Sequence, residues 1–205
     1  MSEPKAVATA VDSVVDDVYV WSVSDDRLGG APSCAVAVRE APGSVVVINP
    51  IRLEQKELDR LGEVTAILLT GAGHLRSAPH YREASGAAIW APVQADLGEV
   101  KANETFTEGN ELPGGLKVIG LPGPSDSECA FYSKRAGGVM IIGDALMNIE
   151  GYGGFRVLPK EYNPNPAQTK QSLKKLLDYD FDVMVFGHGD PIRKGAKEKL
   201  RKLLA

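Results

Sequence analysis

The chain has 205 residues, enough for one domain with a complete core. Its 43% hydrophobic and 24% charged content sets aside a disordered or low-complexity chain. A formal net charge of −4 argues against a nucleic-acid partner, and no apolar run approaches the length that spans a bilayer.

The start of the chain, Met1-Ser2-Glu3-Pro4-Lys5-Ala6-Val7, lacks a basic flank followed by an apolar core, so no signal peptide is expected. Residues 1–14 read as a loosely held arm. Residues 17–23 alternate as a strand. The runs 34–39 and 44–49 flank Ala41-Pro42-Gly43, a hairpin turn signal, and Asn49-Pro50 ends the second of them. Leu53, Leu58 and Leu61 with Glu and Lys between them predict a helix over 53–61. A strand ending at Thr70 follows, then a helix to about Ala84, then a strand at 87–90.

The second half repeats this style. Gly114-Gly115 marks a turn before a strand at 116–119. The runs 129–132 and 138–141 pair around Arg135-Ala136-Gly137. Residues 147–166 form the longest irregular stretch, and Pro166 suits the first turn of a helix running to Leu177. Lys194, Lys197, Lys199, Arg201 and Lys202, with Leu200, Leu203 and Leu204, predict a short amphipathic terminal helix whose basic face is solvated. Cys34 and Cys129 fall inside strands and read as buried free thiols. With no signal peptide and no disulfide framework, a cytoplasmic protein is expected. Hairpins followed by strand–helix units in both halves predict two sheets packed face to face with helices outside, in a single domain over 1–205.

Three of the apolar runs end in a potential metal ligand. Residues 66–70 lead through Gly71-Ala72-Gly73 into His74, residues 139–143 into Asp144, and residues 183–187 into His188. Ligands of layered α/β proteins lie beyond the carboxyl ends of such strands. If the three ends share one edge, two imidazoles and a carboxylate converge there, a set that holds a metal ion with open positions. A metal-free arrangement stands beside this one. In it His74 packs at the start of the next helix, Asp144 is held by backbone amides, and His188 bonds within its own Gly-His-Gly turn.

Other motifs carry less. Gly71-Ala72-Gly73 lacks the third glycine of a dinucleotide fingerprint, since position 76 is Arg, and the next strand ends without an acidic residue. The turn could still bind a phosphate through backbone amides with Arg76 helping. His80, six residues past His74, is not expected as a co-ligand. Asp190 either orients His188 or faces water. Ser33 and Ser125 lack a nucleophile elbow. Asp126 and Glu128 are candidates to replace a lost ligand.

The order of these segments resembles the metallo-β-lactamase superfamily over roughly residues 15–192. The family's Thr-His-x-His-x-Asp-His motif corresponds to the stretch from Thr70 to His74, two residues short, with Gly73 at the Asp position and His74 at the last His. Leu121-Pro122-Gly123-Pro124 matches its Pro-Gly-His segment with Pro124 in place of the His. Gly143-Asp144 and Gly187-His188-Gly189 are intact. The resemblance implies an αββα sandwich of two mixed sheets flanked by helices. It also implies that the ligands of the first ion are missing, while His74, Asp144 and His188 remain of the second ion's four. At most one zinc or iron ion is then expected, with Asp144 both ligand and proton acceptor in hydrolysis of an ester, thioester or phosphoester. The alternative is a metal-free, non-catalytic member that binds a small molecule or a protein partner in the same cleft, and a homo-oligomer stays open. The resemblance places the 147–166 stretch along one wall of the pocket, so Tyr152, Arg156 and Tyr162 are candidate substrate contacts with Arg76; a surface loop pinned by its own aromatics is the alternative. Asn49, where the family often carries Asp, is assigned only a backbone role.

Overall fold

The computed structural model describes residues 3–205. Seven strands form the first sheet in spatial order: β1 (Asp12–Val15), β2 (Val18–Asp25), β3 (Ala31–Ala41), β4 (Ser44–Ile48), β5 (Glu63–Leu68), β6 (Ala88–Pro92) and β7 (Glu104–Phe106). The first four are antiparallel neighbours, and β4 to β7 run parallel. The second half contributes β8 (Glu111–Leu112), β9 (Leu116–Gly120), β10 (Cys129–Ser133), β11 (Val139–Ile142), a separate hairpin of β12 (Met147–Ile149) and β13 (Gly154–Arg156), and β14 (Val183–Phe186). The second sheet has the order β14-β11-β10-β9-β8, with β14 parallel to β11.

Alternation along the strands sets the layers. Val36, Val38, Val46, Ile48, Leu68, Phe131, Ile141 and Val185 point between the two sheets and form the central core. Their neighbours Ala35, Ala37, Val45, Val47 and Ile67 face outward, where Leu61 of α1 (Gln55–Leu61) and Tyr81 of α2 (Ala78–Ser85) cover them. On the other side Ala130, Met140, Ile142, Met184 and Phe186 pack under Leu173 of α3 (Pro166–Leu173) and Leu200 of α4 (Ala196–Leu204). Three apolar layers therefore separate four layers of structure, an αββα sandwich. Strands buried on both faces read as continuous Val- and Ile-rich runs, which is why the sequence signals were strong there. Phe131 is fully buried and meets Phe106 edge to face at 5.7 Å; truncation to Ala is expected to cost about 3–5 kcal/mol.

Some expectations shift. Residues 12–15 are not part of a loose arm: β1 pairs with β2, and Ala8 bridges to Leu53. The 147–166 stretch is not wholly irregular, since it opens with the β12–β13 hairpin. The helix begun at Pro166, with Asn165 Oδ1 accepting from Gln168 N at 3.1 Å, ends at Leu173 and tightens into a 3₁₀ turn over Lys174–Asp178. Among the described residues no helix is long and apolar enough to cross a membrane.

The two sheets meet at one edge, and this edge carries the site. Parallel pairing sets Ile142 opposite Phe186, so Gly143-Asp144 and Gly187-His188 leave the second sheet side by side. Two backbone bonds join the sheets at this edge: Cys34 N donates to Gly187 O at 2.9 Å, and Cys129 N of β10 donates to Thr70 O at 2.8 Å.

Candidate metal centre

His74, Asp144 and His188 come together at this edge, with one potential ligand atom from each inside 4.8 Å of the others. His74 Nε2 and His188 Nε2 each lie 3.4 Å from Asp144 Oδ1. The ring centroids are 5.9 Å apart. His74 reaches the edge from a 3₁₀ turn over Ala72–His74, shortly after β5.

Each ring is oriented through its far nitrogen. His188 Nδ1 donates to Pro32 O at 2.9 Å, which leaves Nε2 with its lone pair toward Asp144. His74 Nδ1 lies 3.1 Å from Thr70 Oγ1. Thr70 is in turn clamped by Asn49: Thr70 N donates to Asn49 Oδ1 and Asn49 Nδ2 donates to Thr70 Oγ1, both at 2.9 Å. Asn49 thus has a side-chain role as well as a backbone one, holding the ends of β4 and β5 together from a left-handed conformation, φ 51°. Orientation through Nδ1 turns both Nε2 atoms into the site, an arrangement typical of metal-binding histidines; His74 Nε2 has no partner there, while His188 Nε2 also meets Arg76 Nη2 at 3.3 Å.

The chemistry of the donors fits one ion. His74 Nε2 and Asp144 Oδ1 are buried and have no hydrogen-bond partner. Leaving two such atoms unpaired costs free energy that coordination would recover. Gly187 keeps the space open, because a Cβ there would sit 2.8 Å from His74 Nε2.

Two further groups complete the floor. Glu128, buried, accepts from Asp144 N through Oε1 at 2.8 Å. Its carboxyl occupies space left by two glycines: a Cβ on Gly71 would lie 2.7 Å from Oε2, and one on Gly143 would collide with Oε1 and with Thr70 Oγ1. Arg76 is also buried and donates to Cys34 O at 2.7 Å and to Asn49 O and Gly187 O at 3.4 Å. Its Nη2 lies 3.3 Å from His188 Nε2. Burial pushes His74 down to about 3, so it stays neutral, the form a ligand needs. Burial acts to raise the Asp144 carboxyl, but His74, His188 and Arg76 packed against it outweigh that and lower it. Burial, aided by the Asp144 charge, pushes Glu128 well up.

Above the floor opens a cleft of about 380 Å³ that reaches Asp144 and His188. Tyr152 and Tyr162 line it; Arg156 and Arg76 do not. Arg156 is exposed, and its Nε donates to the adjacent Val157 O at 3.4 Å. Arg76 is buried behind the histidines among backbone carbonyls. Asp190 does not orient His188, since Pro32 O takes that bond. Of the two candidates to replace a lost ligand, Glu128 is at the floor, bound to the backbone of Asp144; its signal was an acidic residue flanking an apolar strand. Nothing in the local pattern marked Asn49 or Pro32. His80 is exposed on α2, away from the triad, and both cysteines are buried and free.

The sandwich has counterparts among known proteins. No curated protein matches the chain. Solved structures do: the VMB-1 structure aligns at TM-score 0.75 over 97% of this chain and 96% of its own at 12% identity. The metallo-beta-lactamase family protein TTHA1429 from Thermus thermophilus aligns at 0.67 over 94% and 79% at 20% identity, and ETHE1 from Myxococcus xanthus at 0.60 over 84% of each chain at 21% identity. At these identities the likeness is one of fold. The sequence profile of the metallo-beta-lactamase superfamily matches residues 13–205, nearly the whole chain. This chain belongs to the metallo-beta-lactamase superfamily.

Proposed function

We propose that the chain is a hydrolase that works with a single metal ion, zinc or iron, held by His74 Nε2, Asp144 Oδ1 and His188 Nε2, and that it cleaves an ester, thioester or phosphoester. The observation that carries this reading is the pair of buried, unpartnered atoms, His74 Nε2 and Asp144 Oδ1, facing each other 3.4 Å apart beside a third donor. Bound there, the ion would supply Lewis-acid polarisation and a more acidic water. The chain's own residues do the rest. Pro32 fixes the tautomer of His188, and Thr70 orients the His74 ring. Asp144 accepts the proton of the attacking water on its second carboxylate oxygen. Glu128 holds the Asp144 backbone, and so the carboxylate, in place. The ligands expected of a second ion are absent: between Thr70 and His74 no side chain carries a donor, and Pro124 stands where the family has a histidine.

The test is metal content by mass spectrometry of protein purified without chelator, then after incubation with zinc, iron(II) or manganese, alongside turnover of chromogenic esters and phosphodiesters. Near one ion per chain, lost in Asp144→Ala and His188→Ala together with turnover, supports the reading. No metal uptake and no change in stability or turnover on adding metal would remove it. A metal-free binding protein would then be favoured by the Arg76 Nη2 contact to His188 Nε2, which supplies that ring with a partner of the chain's own.

A further inference from the structure

Resting on that reading, we infer that the substrate is an uncharged carboxylic ester or thioester with an apolar arm, and that the cleft discriminates against phosphodiesters and carboxylate-bearing substrates. The argument is the chemistry of the wall. Leu28, Met147, Ile149 and Leu158 line the cleft with the rings of Tyr152 and Tyr162. Its volume, about 380 Å³, falls in the range that encloses a small organic ligand. Among the described lining residues there is no Lys or Arg; the carboxylates are Asp144 at the floor and Glu161 at the wall. The nearest buried guanidinium, Arg76, has its donors directed at three backbone carbonyls and His188. A substrate anion placed beyond the floor would leave water without a partner of opposite charge and would face Glu161, which is unfavourable on both counts.

The wall is pre-formed, so its preference is built in. Tyr152 Oη donates to Gly29 O at 2.8 Å and ties the β12–β13 hairpin to the 26–30 turn. That turn is fixed by Asp25, which accepts from Arg27 and from Ser33 Oγ at 2.9 Å. A ligand entering this cleft gains apolar contact without first ordering a loop. In the reaction, the water oxygen bonds to the acyl carbon and the acyl C–O or C–S bond breaks. One water proton passes through Asp144 to the leaving alcohol or thiol, and the acid is the other product.

Two measurements on the full chain test this. The first is ligand-observed NMR titration of purified protein with 4-phenylbutanamide and 4-phenylbutanoate, matched in shape and different in charge. The amide should bind at least tenfold more tightly; equal or tighter binding of the carboxylate overturns the inference. The second compares wild type with Tyr162→Lys, a position 55% exposed where the fold should tolerate the change. Intrinsic reactivities of esters and phosphodiesters differ widely, so the readout is the kcat/KM ratio of p-nitrophenyl butyrate to bis(p-nitrophenyl) phosphate in each protein. The added cation should lower that ratio at least fivefold; an unchanged or raised ratio counts against the wall as the discriminator. Circular dichroism confirms that the variant is folded, and Tyr162→Arg repeats the test if it is not. The two readings fail differently. Amide preference without metal dependence removes the hydrolase and leaves the cleft chemistry, whereas metal-dependent turnover with a preference for anions removes the cleft chemistry and leaves the hydrolase.

Discussion

The site is assembled from two kinds of strand end. The ends of β11 and β14 deliver Asp144 and His188 directly, each from the residue after a glycine, with the parallel register setting them side by side. The end of β5 is different. It runs through Thr70-Gly71-Ala72-Gly73 and delivers one donor, His74, from a 3₁₀ turn. Around it the space is filled from elsewhere: the Glu128 carboxyl lies against Gly71 and Gly143, and the Arg76 guanidinium reaches His188. The comparison teaches that one edge can keep a ligand set from one sheet while a carboxyl and a guanidinium from the chain itself take up the room on the other side.

The largest effect should come from breaking the intact side. Asp144→Ala removes the only anionic donor of the triad, and metal affinity should fall on the order of 10³-fold, beyond the 10- to 100-fold typical of losing an outer partner. Competition titration with a chromogenic chelator measures it. An unchanged affinity would place the ion, if bound, elsewhere.

The next effect isolates the β5 side through pH. In chelator buffer, His74 goes from 6.5 unfolded to about 3 folded because burial disfavours its charge. Between those values the unfolded chain binds the extra proton. The contribution is therefore fully present above pH 6.5 and is lost as the pH falls toward 3. Urea unfolding of wild type and His74→Gln between pH 3.5 and 7.5 should show the wild-type advantage shrinking on acidification. A flat difference would mean that His74 is not desolvated as described.

Glu128 sharpens the contrast further. Glu128→Ala strands Asp144 N in a buried site and should cost about 2 kcal/mol, whereas Glu128→Gln keeps an acceptor and should cost less than about 1 kcal/mol. Chemical denaturation midpoints distinguish them. Equal losses would indicate that the charge, not the hydrogen bond, is what the floor requires.

The smallest effect is at the wall. Asp25 is held down to about 2, first by its hydrogen bond from Arg27, against burial, and then by Ser33. Its stabilisation is present above its unfolded value of 3.8 and is lost as the pH falls through about 2. Asp25→Asn should cost about 1 kcal/mol at pH 7, less than the full shift implies because Arg27 is partly exposed, and markedly less near pH 2. Thermal unfolding at the two pH values checks it.

The sequence by itself determined the strands and the three donors. Runs such as 139–142 and 183–186 are buried on both faces, so they must be continuously apolar, and a glycine followed by a ligand-type residue marks where each leaves the sheet. Tertiary structure alone decided the groups that hold those donors. Asn49 and Arg76 act from left-handed backbone conformations, φ 51° and 34°, that no local periodicity announces. Pro32 and His188 are 156 residues apart and meet only because β3 and β14 share an edge. Arg76 read as a substrate contact because it follows a glycine turn that could hold a phosphate; here carbonyls from three separate segments offered it a buried home. Local pattern reports which residues must leave water, whereas the partner that satisfies a buried polar atom is chosen by whatever the packed sheets bring within about 3 Å of it.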